Sequence, residues 1–340
     1  MKAVAAQNGR IIIIETDEPE LLPGHVLIRT EYSAISPGTE TGIARRSGEK
    51  PVILGYSAVG IVERIGAGVE GIQPGERLAC YGAPYVRHAE RLAVPAHLTA
   101  AVPEHVDPRE AAFAGLGAIA IHALRVADLR FGESAIVAGL GIIGNLIAQI
   151  ACAAAYRTVG LDINAERAMK LRQLGLRHVY SDPVEMEKQL PSAVGRAGAD
   201  AVILCAGGPG EALINRALEK WLRDRGKIVI VGDLTAEFSR AAMFAKEAQV
   251  LISRAGGPGR YDAQYEKDNR DYPIGYVRWT EGRNVGEYIR LLSERLITAE
   301  PLITGEYPLD RHEEAYMNYL QGVPGTFGTL IRYGGNECFK

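Results

Sequence analysis

Gly139, Gly141 and Gly144 form a G-x-G-x-x-G series directly after the apolar run SAIVA, and they open the run IIGNLIAQIACAAA. An acid, Asp162, ends the next apolar run, RTVGL. In a strand–turn–helix context this combination is a site for the pyrophosphate of a dinucleotide. Gly139 permits the tight turn, Gly141 lets the backbone approach the phosphates, and Gly144 lets helix and strand pack closely. Ile142 and Ile143 begin the helix, whose N-terminus offers free N–H groups and a positive dipole end. Asp162 is expected to accept hydrogen bonds from the adenosine ribose diol and to repel a 2′-phosphate, so NAD is expected over NADP. Ile163 beside it belongs to the same expected cofactor set. Arg167 is the reservation, since an Arg there can serve a 2′-phosphate. Ala206 and Gly207, and Val231 and Gly232, end later strands; ligands of such sheets bind beyond the carboxyl ends of the strands, so these too are expected to line the cofactor. The plainer alternative is that the glycines only make a turn and Asp162 only caps a helix.

The elements around these residues change character along the chain. Residues 1–105 read as short strands separated by Gly and Pro, such as IIIIE, HVLIRTEYSAIS, AVGIVERIGAG and ERLACYG. From about residue 125 strands alternate with helical stretches through six units, the pattern of a doubly wound parallel sheet. A helix, NVGEYIRLLSERLI, and a β-rich tail ending in TFGTLIRY follow. The expected fold class is α/β: a β-rich domain from 1–124 and 257–340, and a dinucleotide-binding domain with a six-stranded parallel sheet from 125–256. With 47% hydrophobic and 23% charged residues in 340, the chain has the composition of an ordinary soluble globular protein. The net charge of −3, without a block of like charges, suggests neither nucleic acid nor membrane as a partner. Residues 134–156 carry no charge, yet their glycines, Asn145 and Gln149 favour strand, turn and buried helix over a membrane span. Cys80, Cys152, Cys205 and Cys338 are far apart, so no disulfide framework is expected. A reducing cytoplasm fits this spacing, and the N-terminus lacks the marks of a signal peptide.

The stretch LGYSAVGIVERIGAGVEGIQPGERLA, the glycine series and the domain order resemble the medium-chain dehydrogenase/reductase superfamily, the zinc alcohol dehydrogenase group. The resemblance implies a GroES-like β-rich domain beside the Rossmann domain, and a homodimer. It covers nearly the whole chain, with telling departures. Where catalytic-zinc members carry His-Glu, this chain has Tyr56-Ser57. Where they carry Cys before Gly-Thr-Asp, it has Pro37 before Gly38-Thr39-Glu40. The third ligand position falls at about Ala114, and the four-cysteine lobe of the structural zinc is missing. Tyr, Pro and Ala do not supply a catalytic zinc with three N, S or O ligands. No metal is therefore expected. SAISPGTE, ERLACYGAPYVRHAERLAVP and GPGRYDAQYEKDNRDYPIGYVRWTEGRN further resemble a zinc-less branch, the N-terminal half of bi-domain sugar oxidoreductases. That branch implies sugar or polyol substrates.

Without zinc, side chains must handle the hydroxyl proton and the developing alkoxide. Tyr56, in a zinc ligand's place, is expected to point at the substrate oxygen. His88 is expected to act as a base, because its unperturbed pKa lies near neutrality. Glu40 is expected to orient either or to bind a substrate hydroxyl. His25, His97, His105, His178 and His312 read as solvated. Residues 256–280 show neither helical nor strand periodicity, yet hold Tyr261, Tyr265, Tyr272, Tyr276 and Trp279. Tyr261, Tyr265, Tyr276 and Trp279 are expected to form a substrate wall or lid, with a dimer contact as the alternative. Arg45 and Arg46 are a candidate pair for an acidic substrate group. The expected function is a zinc-independent, NAD(H)-dependent oxidoreductase interconverting a secondary alcohol and a ketone on a sugar, cyclitol or related polyol. The alternatives are an enone- or quinone-type reductase, a pigment-precursor dehydrogenase, and a non-catalytic nucleotide-binding protein.

Overall fold

The computed structural model describes residues 1–334; Cys338 lies outside the described residues. The chain forms two compact units, Met1–Ala118 together with the chain from Gly256 onward, and Ile119–Ala255.

In the second unit, six strands form one parallel sheet. In chain order they are Ser134–Ala138, Arg157–Leu161, His178–Tyr180, Ala199–Leu204, Leu222–Ile230 and Gln249–Ile252. Their spatial order is third, second, first, fourth, fifth, sixth, the doubly wound arrangement of dinucleotide-binding domains. Ser134–Ala138 is buried at all five positions, as a central strand covered on both faces must be. One core gathers Ile136, Val159, Val202, Ile228 and Trp221. Trp221 keeps its indole N–H satisfied by donating to Glu187 Oε1 at 2.8 Å. No helix among the described residues is long and apolar enough to cross a membrane.

The first unit is β-rich. A seven-stranded sheet has His25–Ala34 near its middle, pairing with Ser57–Ile65, Arg91–Pro95 and Gly328–Arg332. Arg77–Tyr81 and Thr99–Ala101 extend it on one side and Ile303–Pro308 on the other. A smaller sheet joins Lys2–Gln7, Arg10–Glu15 and Val52–Ile53. The strand reading of residues 1–105 needs one correction. Pro37–Arg46 is a helix, with Ser36 at its N-cap and Pro37 at its first position. Proline there gives up an N–H that would be unpaired anyway.

Residues 256–280 hold one short helix, Ala263–Glu266, and are otherwise irregular. Helix Glu281–Ser293 follows and clasps them. Arg283 donates to the Val277 carbonyl, to Asp271 Oδ2 and, at 3.2 Å, to the Tyr272 carbonyl. Tyr265 is 2% exposed, stacks on Tyr272 at 5.4 Å and donates to Thr280 Oγ1 at 2.8 Å. Arg283→Ala is expected to loosen this segment by about 1–2 kcal/mol while the sheets persist. Limited trypsinolysis should then cleave after Arg270 or Arg278 roughly fivefold faster or more, with a small change in Tm.

Candidate active site

The nucleotide cradle lies in the second unit. Gly139 adopts φ +94°, and a Cβ on it would stand 2.8 Å from the Ala206 nitrogen. A Cβ on Gly144 would stand 1.8 Å from the Gly139 carbonyl oxygen, so the turn closes only with glycine there. Gly141 is the N-cap of helix Ile142–Ala153. Asp162 is 6% exposed and braces the loop. Its Oδ2 accepts from Leu140 N–H at 2.7 Å, and its Oδ1 accepts from Asn164 N–H at 2.8 Å. Arg167 Nη1 lies 3.8 Å from Asp162 Oδ2. Ile163 beside it is 87% exposed. Ala206, Gly207, Val231 and Gly232 follow the ends of the fourth and fifth strands, and a Cβ on Gly232 would meet the Ala206 carbonyl oxygen at 1.9 Å. These groups fit a nicotinamide dinucleotide: the loop and helix end would take the pyrophosphate, and the remaining lone pairs of Asp162 would take the ribose.

In the first unit a buried polar network surrounds Glu40. His88 Nε2 lies 2.9 Å from Glu40 Oε2, and Tyr316 OH donates to the same oxygen. Ser36 N–H donates to Glu40 Oε1 at 2.8 Å. On its other side, His88 Nδ1 lies 2.7 Å from Ser33 Oγ, and Ser33 Oγ lies 2.8 Å from Tyr333 OH. One assignment satisfies every atom: Tyr333 donates to Ser33, Ser33 to Nδ1, and Nε2–H to Glu40. Glu40 and His88 are both buried. Gly55 makes room for the histidine, since a Cβ on it would lie 2.5 Å from the His88 nitrogen.

Tyr56 stands at the edge of this network. It is half-buried and donates to Ser36 Oγ at 2.5 Å. Burial raises its pKa, Glu40 adds to the rise, and the Ser36 hydrogen bond and Arg260 oppose it. The route inward from Tyr56 is broken for protons, because Glu40 holds Ser36 through the backbone N–H and not through the hydroxyl. The expectation that His88 meets substrate is therefore corrected. Its ring has no exposed surface and both nitrogens are engaged within the protein. His25 is corrected likewise: it is buried at a strand start, with Nδ1 2.9 Å from the Pro23 carbonyl oxygen.

Tyr56 packs edge-on against Tyr81, with ring centroids 5.8 Å apart. Behind Tyr81 lies an ion pair, and with it a buried acid that sequence reading missed. Arg260 pairs with Glu266 and donates to the Ala83 carbonyl at 2.7 Å, its guanidinium 6.0 Å from the Tyr81 ring centroid. Glu281 is fully buried, and neither carboxyl oxygen has a hydrogen-bond partner. The sequence pattern starts the helix at Asn284, so Glu281 lay in the irregular stretch before it and drew no notice.

The expected substrate residues fall into two sets. Tyr265 belongs to the core, stacked and hydrogen-bonded, which corrects its expected place in a wall. Tyr276 and Tyr261 are 91% and 62% exposed; Arg260 lies over the Tyr261 ring at 4.2 Å, and Arg278 lies over Trp279 at 3.9 Å. Arg45 and Arg46 are exposed in the last turn of helix Pro37–Arg46.

The three zinc-ligand positions do not fit a zinc ion. Pro37 opens a helix, Ala114 is a buried alanine, and Tyr56 directs its proton to Ser36. Among the described residues no group of three His, Cys, Asp or Glu side chains could hold a metal. Cys80 does not join His88 and Glu40, for its thiol donates to the Ala58 carbonyl at 3.4 Å.

A Rossmann sheet with a dinucleotide cradle in one unit, and a buried acid–base network in the other, β-rich unit, define a pyridine-nucleotide-dependent oxidoreductase. Residues 22–124 match the alcohol dehydrogenase GroES-like domain, and residues 142–267 match the zinc-binding dehydrogenase family. L-threonine 3-dehydrogenase of Chelativorans sp. is 30% identical over 250 residues, 63% of this chain and 71% of that protein. D-xylulose reductase of Saccharomyces cerevisiae is 25% identical over 352 residues, 92% of each chain. The crystal structure of 2R,3R-butanediol dehydrogenase from Bacillus subtilis superposes with a TM-score of 0.76 at 21% identity, over 97% of this chain and 99% of that one. The chain belongs to the medium-chain dehydrogenase/reductase superfamily and is an oxidoreductase acting on CH–OH groups.

Two substitutions check the geometry. Gly144→Ala is expected to weaken NADH binding about tenfold or more in a fluorescence titration, because the added carbon must push the loop apart. His88→Ala should lower unfolding free energy by about 2–4 kcal/mol in urea titrations, because Glu40 stays buried with one donor fewer.

Proposed function

We propose that this protein is a zinc-independent dehydrogenase of the superfamily's zinc-less branch, interconverting a secondary alcohol and a ketone on a sugar, cyclitol or related polyol, with NAD preferred to NADP. The observation that carries the reading is the Tyr56 hydroxyl, half-buried and donating to Ser36 Oγ at 2.5 Å where a zinc ligand would otherwise stand. The match to D-xylulose reductase along 92% of the chain supports a polyol substrate. Asp162, beside the glycine loop, supports NAD through its repulsion of a 2′-phosphate.

Bound NAD supplies the hydride acceptor, and the protein's own groups manage the proton. Tyr56 hydrogen-bonds the substrate oxygen. For ketone reduction it donates its proton to the developing alkoxide, and its raised pKa keeps that proton in place until the alkoxide forms. For alcohol oxidation it must instead take the proton, acting as the phenolate after losing its own proton to solvent. Glu40, held by His88 and Tyr316, fixes the Ser36 backbone and so aims Ser36 Oγ at Tyr56. In this reading Glu40 and His88 are positioning residues. Exposed Tyr261 and Tyr276 and half-buried Trp279, with Arg45 and Arg46, are the candidate contacts for the polyol and any acidic group on it. The protein acts as a homodimer in the cytoplasm.

The test is nicotinamide absorbance with a panel of sugars, sugar acids and cyclitols, with and without a strong chelator. Turnover is expected to survive the chelator. Tyr56→Phe is expected to lower kcat by about 10²–10⁴ with a smaller effect on KM. Chelator-sensitive turnover, or a Tyr56→Phe enzyme slowed less than about threefold, would refute the reading.

A further inference from the structure

Glu281 is one of the buried polar groups of the first unit that lack a side-chain partner among the described residues. It sits at the first position of helix Glu281–Ser293, fully buried, and its backbone N–H donates to the Pro258 carbonyl at 2.8 Å. Neither carboxyl oxygen finds a donor. Buried polar atoms are nearly always paired, and an exception calls for a reason.

The surroundings supply one. Glu281 and Tyr81 bracket Gly256: a Cβ on that glycine would lie 3.1 Å from Glu281 Cβ and 2.5 Å from Tyr81 Cε1. Gly256 N–H donates to Tyr81 OH at 3.0 Å, and Asn284 Nδ2 donates to the Gly256 carbonyl at 2.8 Å. Tyr81 packs edge-on against Tyr56. Arg260 lies beside Tyr81, ion-paired with Glu266 and not with Glu281. The guanidinium thus has two carboxyl neighbours and is neutralised by one.

We propose that Glu281 is a positioning residue for the reaction: carrying its proton, it leaves Arg260 paired with Glu266 alone, so that the guanidinium supports the phenolate that Tyr56 becomes during alcohol oxidation. The proposal rests on Tyr56 as the acid–base group. Removing the Glu281 proton would set two carboxylates against one guanidinium and make the Tyr56 phenolate harder to form.

The surrounding groups keep the proton in place. Burial pushes Glu281 up to about 9, Arg260 opposes the rise, and Glu266 adds to it. The other titratable groups facing it are Tyr81 and Tyr85 from the strand Arg77–Tyr81 and its following turn, and Tyr265 and Tyr272 from the 256–280 segment. All four tyrosines have raised pKa values: burial is the main cause for Tyr81, Tyr85 and Tyr265, and the Asp262 hydrogen bond for Tyr272. Glu281 is therefore the group that ionises first as pH rises from neutral. In the unfolded chain it ionises near the ordinary carboxyl value. Its contribution to stability is complete below that value and is lost as pH rises towards about 9.

The experiment compares wild type with Glu281→Gln, a neutral isostere, by two readouts. The first is kcat for alcohol oxidation with NAD. The ratio of kcat at pH 10 to kcat at pH 7.5 is expected to be about tenfold higher in Glu281→Gln, since one unit in the Tyr56 pKa is tenfold in phenolate. The second is Tm without substrate, where the advantage of Glu281→Gln over wild type is expected to grow between pH 5 and pH 9. Glu266→Gln is a second variant, expected to move the alkaline change in kcat down by about one pH unit or more, because the neighbouring like charge is gone. Equal kcat ratios in wild type and Glu281→Gln would overturn the coupling. A constant Tm difference across pH would overturn the buried proton itself. If Tyr56→Phe keeps full turnover while the Tm difference still grows with pH, the reading of Tyr56 fails and the proton on Glu281 stands.

Discussion

The carboxylate of Glu40 is the constraint that the rest of the β-rich unit answers to. A carboxylate with almost no exposed surface persists only if donors surround it. Here they arrive from distant parts of the chain: the Ser36 backbone, the His88 ring and the Tyr316 hydroxyl. The first fixes the start of a helix, the second a turn between strands, and the third the helix His312–Leu320. Satisfying one acid thus ties the first forty residues to the last thirty. Ser33 and Tyr333 extend the same tie to the sheet. Tyr56 is held in turn, because its partner Ser36 is the residue whose backbone Glu40 grips.

Glu281 makes the opposite case in the same unit. Glu40 is surrounded by donors, whereas Glu281 is surrounded by backbone, aromatic carbon, the Glu266 carboxylate and the guanidinium that Glu266 already engages. Equal burial therefore gives unequal chemistry: one acid organises its neighbours, and the other is left with its proton. A catalytic centre that relies on side chains needs both kinds of group, one to hold geometry and one to set local charge.

The Rossmann sheet was legible in the sequence because its signals are local. Glycine spacing, a terminal acid and alternating strand and helix periods all lie within short windows. The helix Pro37–Arg46 was readable too. Ser36, Pro37 and Glu40 form a helix-start pattern, but the Gly- and Thr-rich composition of the stretch masked it among strands. Long-range pairing was not legible. Nothing local tells that Tyr316 reaches Glu40 or that Gly256 must fit between Tyr81 and Glu281. For the same reason Tyr265 read as a binding aromatic. Its neighbours in sequence are polar, while its neighbours in space are His97, Tyr272 and Thr280.

Asp162 carries a consequence for how this scaffold can change. The carboxylate proposed to discriminate between cofactors also receives the Leu140 N–H from within the glycine loop. On that proposal, selectivity and loop shape are written in one side chain. A lineage drifting towards the phosphorylated cofactor cannot simply discard the acid, since the loop would lose an acceptor at its tightest point. Its accessible path runs through residues that keep an oxygen there without the charge, so cofactor choice in this fold is tethered to the integrity of the turn that grips the cofactor.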